Sequence, residues 1–237
     1  MGKHSKTTSF RRQLIALLAT FSLTISGLSI TALSASAIEA DSANSATDYA
    51  GVFDGSTQNV VSASTAIVIP ANAAFTIETW IYPTAAASDT ADRVFVSQGT
   101  IASGGMFYAK RKSGDIIFSR TNGTDSEYNC GPVPSNAWTH VALSMDGTNY
   151  NCYFNGSLVF TKAMGFLRTL GAKFNVGSYS ENVAAAGTLW QGQIDQVKVW
   201  NAVLTESQLA ESMHAYSATG VTSAPTLLAH YEIGRAS

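Results

Sequence analysis

Short segments rich in β-branched and aromatic residues recur from residue 49 to residue 233 and constrain the fold more than any other feature. Turn residues separate them, and Asp146-Gly147 and Asn155-Gly156 supply the positive φ angles that tight hairpins require. The predicted strands are Tyr49–Phe53, Ala66–Ile69, Phe75–Tyr82, Arg93–Ser97, Met106–Arg111, Asp115–Arg120, Trp138–Met145, Tyr150–Phe154, Leu158–Lys162, Lys173–Gly177, Trp190–Trp200 and Leu227–Ile233. Short strands joined by tight turns predict an all-β, two-sheet antiparallel sandwich of the jelly-roll type.

One short helix is predicted after the longest strand segment. Thr205 is a good N-cap, and Gln208 completes a capping box with it. Leu204 and Leu209 take the two hydrophobic-staple positions around that cap. The pattern predicts a peripheral helix over Glu206–Tyr216 that packs on the sandwich. No internal repeat is present, so residues 49–237 are predicted to form one domain.

The first 37 residues have the organisation of a secretory signal peptide. Met1–Gln13 contains four Lys or Arg residues and no acid, Leu14–Leu33 is uncharged and apolar, and Ala35-Ser36-Ala37 is a small-x-small cleavage pattern. We therefore expect cleavage after Ala37, a secreted bacterial protein, and a flexible leader over residues 38–48. Two alternatives stay open: the apolar run is long enough for an uncleaved membrane anchor, and Arg11-Arg12 also fits twin-arginine export.

The charge of the chain disfavours nucleic-acid binding. The sequence has 14 basic and 16 acidic residues, and removal of the signal peptide takes away four basic residues and no acid. That leaves 10 basic against 16 acidic residues, a net charge of −6. Because an acidic surface repels phosphates, the predicted partners include no nucleic acid and, after cleavage, no membrane.

The two cysteines, Cys130 and Cys152, are predicted to form a disulfide, because an exported chain reaches an oxidising compartment. Cys152 lies on the second strand of the Asp146-Gly147 hairpin, and Cys130 lies in the Gly/Pro-containing connection before the first strand. That connection is able to cross the sheet, so a bridge is sterically reasonable. Two inert thiols are the alternative.

Four segments, taken in order, resemble one superfamily. They are Val52-Phe53-Asp54-Gly55-Ser56, Phe75–Ile81, Trp138–Gly156 and Gly192–Asn201. Together they resemble the laminin-G-like, concanavalin A-like lectin and glucanase jelly rolls. The resemblance covers about Tyr49–Tyr216 and implies two curved antiparallel sheets, an extracellular location, and a carbohydrate or protein ligand.

Members of this superfamily often bind Ca²⁺, so the resemblance makes Ca²⁺ a candidate cofactor. It points to Asp195 as the first candidate ligand and to Asp54 as the second. Calcium sites collect six to eight oxygens from scattered loops, which a sequence shows poorly. The alternative is that Asp54 caps a turn and that Asp195 accepts backbone hydrogen bonds.

No catalytic residue is predicted. The hydrolases that this chain resembles carry a Glu-x-Asp-x-Glu cluster, which supplies the two carboxyl groups of a retaining glycosidase. This sequence lacks such a cluster: Glu78 has no second acid on its strand face, and Asp125 and Glu127 lie in a segment predicted to be a loop. We interpret Glu78 as a hydrogen-bonded structural acid and His140 as a strand histidine bonded to a neighbour.

Aromatic residues determine whether a sugar-binding face exists, because a sugar's C–H face stacks on an exposed ring. The three tryptophans within the strand motifs are predicted to be core residues: Trp80, Trp138 and Trp200. The candidates for exposed, ligand-binding rings lie near strand ends or Gly-rich loops: Phe107, Tyr108, Tyr128, Tyr179 and Trp190.

The predicted function is a secreted, non-catalytic module that binds carbohydrate or an extracellular or cell-surface protein, with Ca²⁺ as a candidate aid. Two alternatives remain open. One is a glycan-cleaving hydrolase or lyase of the same fold, and the other is a structural or truncated module of a larger surface adhesin.

Overall fold

The computed structural model describes residues 50–57, 60–61, 67–100, 105–121, 125–163, 169–170, 174–179, 188–215 and 225–233. The predicted signal peptide and leader lie outside the described residues. Within those ranges, no helix has the length and apolar character needed to cross a membrane.

The described part of the chain forms two antiparallel sheets and one short helix. The strands are β1 (Gly51–Asp54), β2 (Val60–Val61), β3 (Phe75–Pro83), β4 (Arg93–Thr100), β5 (Gly105–Lys112), β6 (Asp115–Thr121), β7 (Asp125–Pro132), β8 (Thr139–Met145), β9 (Asn149–Phe154), β10 (Ser157–Ala163), β11 (Phe174–Val176), β12 (Gln191–Trp200) and β13 (Leu227–Tyr231). The seven-stranded sheet has the order β1-β12-β3-β8-β9-β10, with β13 also paired to β12, and the six-stranded sheet has the order β2-β11-β4-β5-β6-β7. The predicted two-sheet jelly roll with one short helix is confirmed.

The core lies between the sheets because alternate residues of each strand are apolar. On β3, Phe75, Ile77 and Ile81 point into it and are at most 1% exposed. From the opposite sheet, Phe107 and Phe118 pack against them. The residues of β3 that alternate with this set therefore lie on the outer face of the seven-stranded sheet, where the candidate site is found.

The helix, α1, spans Glu206–Ser212 and packs on that outer face. Its predicted capping box is present: Thr205 and Gln208 each bond the other's backbone. Leu204 and Leu209 are fully buried in a small cluster with Trp200 and its neighbours. The helix ends earlier than predicted, at a C-cap formed by Met213, and residue 216 lies outside the described residues.

Three strand predictions were wrong. Asp125–Pro132 was not predicted as a strand, since Asp125 and Glu127 were assigned to a loop and Cys130 to a connection, yet it forms β7 and pairs with β6. In the opposite sense, the predicted strand Ala66–Ile69 is reduced to an isolated bridge at Ile69 within the described residues. Val60–Val61, not predicted as a strand, forms β2 beside β11.

The predicted disulfide between Cys130 and Cys152 is confirmed. Cys130 lies on β7, the edge strand of the six-stranded sheet, and Cys152 lies on β9 of the other sheet. Their Cα atoms are 6.0 Å apart, and both side chains are buried. The bridge therefore joins the two sheets across the core.

Candidate functional site

A row of side chains crosses four strand positions on the outer face of the seven-stranded sheet. Val52 on β1 lies opposite Gln193 on β12, which lies opposite Tyr82 on β3. Trp138, the residue before β8, continues the row, and its ring centroid is 5.5 Å from that of Tyr82. At about 4.8 Å per strand, the row is ~14 Å long. Val52 and Trp138 are exposed, at 70% and 41%.

A second row lies beside the first, towards α1. Asp195 on β12 lies opposite Trp80 on β3, which lies opposite His140 on β8. The Trp80 ring contacts His140 at a centroid distance of 5.3 Å and the exposed His214 at 6.5 Å. Its indole N–H donates to the Met213 carbonyl at 2.9 Å. Trp80 is therefore fixed to the segment that follows the helix.

Together these rows and the end of α1 border a cleft of about 540 Å³, here named the outer cleft. Its main lining residues are Trp80, Trp138, Gln193, Asp195, Met213 and His214. They combine two indoles, an imidazole, an amide and a carboxylate. Such a lining presents flat apolar faces together with hydrogen-bonding groups.

A β-bulge in β12 shapes the floor of the outer cleft. Adjacent residues of a regular strand point to opposite faces, yet both Asp195 and Gln196 line the cleft. The register with β3 breaks between Asp195 and Lys198, and Gln196 adopts a φ of +50°. The Asp195 carboxylate accepts the Gln196 backbone N–H at 2.7 Å, which stabilises the bulge.

Beneath α1, the outer face carries a buried polar network centred on Glu78, which is 1% exposed. Glu78 Oε2 lies 3.1 Å from His140 Nε2, and Oε1 accepts the Trp200 indole N–H at 2.8 Å and the Ser212 hydroxyl. Burial acts to raise the pKa of Glu78, but the interactions with His140, Lys198 and Ser212 outweigh it and lower that pKa. Glu78 is thus an enclosed carboxylate with several partners, and it has no open side from which to reach a ligand.

Lys198 completes the network, and its side chain is only 2% exposed. Its ammonium donates to the Ser212 carbonyl at 2.6 Å and to the Ala215 carbonyl at 2.7 Å. Burial lowers the pKa of Lys198, although nearby carboxylates, Glu78 first among them, oppose that shift. Since α1 has no basic residue in its last turn, this lysine supplies from the sheet the cation that a helix C-terminus favours.

The predicted ligand-binding aromatics do not line the outer cleft, and the exposure expected for three of them was wrong. Phe107 and Trp190 are 0% exposed and Tyr108 is 5% exposed. Phe107 lies on the inner face of β5, and Trp190 packs against Phe95 at 5.6 Å. Both rings are therefore enclosed by the core.

The other two predicted rings are partly buried. Tyr128 packs against the inter-sheet core, and Tyr179 packs edge-on against Tyr108 at 4.7 Å. In contrast, Trp138, predicted to be a core residue, is exposed, and Trp80 is only partly buried. Trp200 is fully buried, as predicted.

The two candidate Ca²⁺ ligands do not form a common site. Asp54 caps its own turn: one carboxylate oxygen accepts the Ser56 and Thr57 amides at 2.7 and 2.8 Å, and the other accepts the Thr57 hydroxyl at 2.7 Å. These bonds hold the pKa of Asp54 well below its usual value. Asp54 pairs with Gln191, so Asp195 lies four residues further along β12, about 13 Å away.

One ion with ligand distances of about 2.4 Å cannot bridge that separation. Across the described ranges, moreover, no three His, Cys, Asp or Glu residues are grouped so that they could hold a metal ion. Asp54 and Asp195 therefore cannot ligate the same ion, and each is a candidate ligand only by itself.

The fold and the site define a two-sheet jelly roll with an aromatic-lined cleft beside its one helix. The sequence profile of the concanavalin A-like lectin/glucanases superfamily matches residues 53–210, and the chain belongs to this superfamily. No curated protein sequence matches the chain.

Several solved structures share the fold at low sequence identity. Domain 4 of AbnA, an extracellular GH43 arabinanase from Geobacillus stearothermophilus, was solved with arabinotriose; it has a TM-score of 0.54 and 17% identity, over 68% of this chain and 74% of that one. The heptameric SAP-like pentraxin of Limulus polyphemus has a TM-score of 0.51 and 18% identity, over 68% and 79%. The binding domain of botulinum neurotoxin serotype G has a TM-score of 0.53 and 14% identity, over 68% of this chain and 41% of that one.

Proposed function

We propose that this protein is a secreted, non-catalytic carbohydrate-binding module and that its ligand occupies the outer cleft. The observation that carries the proposal is the exposed Trp138 indole, which lies in one cleft with Trp80, Asp195 and Gln193. An indole that is 41% exposed beside partly buried aromatic rings offers the flat surface on which a pyranose or furanose ring stacks.

The polar groups favour a neutral glycan. The carboxylate of Asp195 and the amide of Gln193 are suited to bonding adjacent hydroxyl groups. No lysine or arginine belongs to the described lining of the outer cleft, so an anionic sugar would find no cation and would be repelled by Asp195. The ligand class is therefore an uncharged poly- or oligosaccharide.

Binding is a better explanation of this cleft than glycan cleavage. A retaining glycosidase needs two carboxyl groups about 5–5.5 Å apart. Asp195 is the one acid in the described lining of the outer cleft. Glu78, a neighbour on the same face, is enclosed by its partners. The arabinotriose complex of AbnA domain 4 supports this choice, because it shows a structure of this fold holding a neutral sugar.

The proposal is tested by screening the purified protein against a glycan array, once in Ca²⁺ and once in EDTA. We expect binding to neutral glycans in both buffers. Trp138→Ala should weaken the affinity for the best glycan about tenfold or more, since a stacked indole contributes about 1.5 kcal/mol beyond its buried area. Leu158→Ala, at a 48% exposed position on β10, is the matched control and should bind normally.

Retention of full affinity by Trp138→Ala would place the ligand elsewhere on the molecule. Binding that disappears in EDTA would show that calcium takes part in ligand binding. The absence of signal on every glycan would contradict the proposal and favour a protein ligand.

A further inference from the structure

The part of the outer cleft next to α1 is not stable by itself and depends on contacts with the sheet. Met213 and His214 form this wall of the cleft and follow the helix directly. A seven-residue helix is too short to be stable by itself, so its position depends on contacts with the sheet. Whatever holds the end of α1 also determines the shape of the cleft.

One anchor of this wall is Lys198. Its ammonium bonds the carbonyl before Met213 and the carbonyl after His214, at 2.6 and 2.7 Å. The two wall residues are therefore bracketed by bonds to one buried cation. Trp80 adds a single bond, from its indole N–H to the Met213 carbonyl.

The charge of Lys198 is balanced from the opposite strand. Glu78 and Lys198 are directly paired in the register of β3 and β12, and both are at most 2% exposed. Glu78 also accepts a hydrogen bond from the Ser212 hydroxyl, which links the same end of the helix to the carboxylate. A buried ammonium is costly without an opposite charge nearby, and the Glu78 carboxylate on the adjacent strand favours the charged form of Lys198.

We propose that Lys198 is a positioning residue of the outer cleft: it fixes residues 213–215, and through them it presents His214 and Trp80 to the ligand. This rests on the proposed function where ligand affinity is concerned. The mechanical part, that Lys198 orders the wall, does not depend on any ligand.

The test is hydrogen exchange, measured by mass spectrometry on the full-length protein and on Lys198→Met. The informative amides are those of Met213, His214 and Ala215, which bond to Leu209, Glu211 and Ser212 carbonyls. We expect these amides to exchange at least tenfold faster in Lys198→Met, while amides of β5 in the other sheet keep their wild-type rates. Lys162→Met, on the exposed edge strand β10, makes the same substitution away from the helix and should leave all rates unchanged.

Affinity for the best neutral glycan is measured in parallel, and we expect at least a fivefold loss in Lys198→Met with none in Lys162→Met. A second variant, Lys198→Gln, keeps hydrogen-bond donors without the charge and should give intermediate exchange rates.

Wild-type exchange at residues 213–215 in both Lys198 variants would overturn the inference. Failure of both variants to fold would also overturn it, because Lys198 would then be required by the whole domain. If the wild type binds no glycan, the proposed function fails, whereas the exchange rates still decide the role of Lys198.

Discussion

The disulfide between the two sheets makes a strong prediction for stability. Cys130 and Cys152 are 22 residues apart, and closing a loop of this length removes about 11 cal/mol/K of entropy from the unfolded chain. Reduction of the bridge should therefore lower the free energy of unfolding by about 3.4 kcal/mol at 25 °C. In a domain of this size, that loss corresponds to a fall in Tm of about 7–13 °C.

The assay is urea unfolding of the oxidised protein, of the reduced protein, and of the double variant Cys130→Ala/Cys152→Ala. The reduced protein keeps both buried sulfurs, so it isolates the effect of the cross-link. The double variant should lose a further 1–2 kcal/mol, roughly, from the emptied space. The m-value should rise on reduction, because the uncross-linked chain exposes more surface when it unfolds. A reduced protein within 1 kcal/mol of the oxidised one, with an unchanged m-value, would refute this reasoning.

Three further variants test the buried polar network, β12 and the helix N-cap, which together position the outer cleft. Glu78→Gln should lower the free energy of unfolding by roughly 3 kcal/mol at pH 7, because it removes the buried charge that faces His140 and that favours the Lys198 ammonium. The folded-state pKa of Glu78 lies below its ordinary value of 4.5. Its contribution to stability is therefore present above pH 4.5 and is lost as the pH falls through the lowered pKa. Below pH 5, the free energy of unfolding of Glu78→Gln in urea should depend less on pH than that of the wild type. Gly192→Ala should lower Tm sharply or prevent folding, because the φ is +139° and a Cβ would collide with the Tyr82 carbonyl; a soluble variant with wild-type Tm would contradict this. Thr205→Ala removes the N-cap and should cost about 1 kcal/mol in the same unfolding assay, with an unchanged result arguing against the capping box.

Local patterns predicted most of the fold. Asp146-Gly147 and the Thr205 capping box carry their information within a few residues, and both occur as predicted. β7 was missed because its sequence is polar, although Tyr128 and Cys130 alternate with exposed residues in the period of a strand.

The candidate site was harder to predict, because its parts are far apart in the sequence. The outer cleft joins β12, β3, the residue before β8 and the end of α1. Trp138 belongs to a strand motif, but it directly precedes β8 and lies beside Tyr82 on the outer face rather than in the core between the sheets. The bulge at Gln196 has no glycine to mark it, and Phe107 was assigned by its proximity to Gly104 and Gly105 rather than by its inward position on β5.

The pairing of β12 with β1 and β13 suggests where the chain could be circularly permuted. β1 pairs with Gln191–Ile194 and β13 pairs with Val197–Trp200, both antiparallel to β12 and therefore parallel in direction to each other. The end of β13 and the start of β1 thus meet, and a Cβ at Gly51 would touch Ile233. Along this edge of β12, β13 and β1 follow one another in the same direction, like a single long strand whose backbone is interrupted between them. A circular permutant that joins Ile233 to Gly51 through a short linker and opens at Asn155-Gly156 should therefore retain the sandwich.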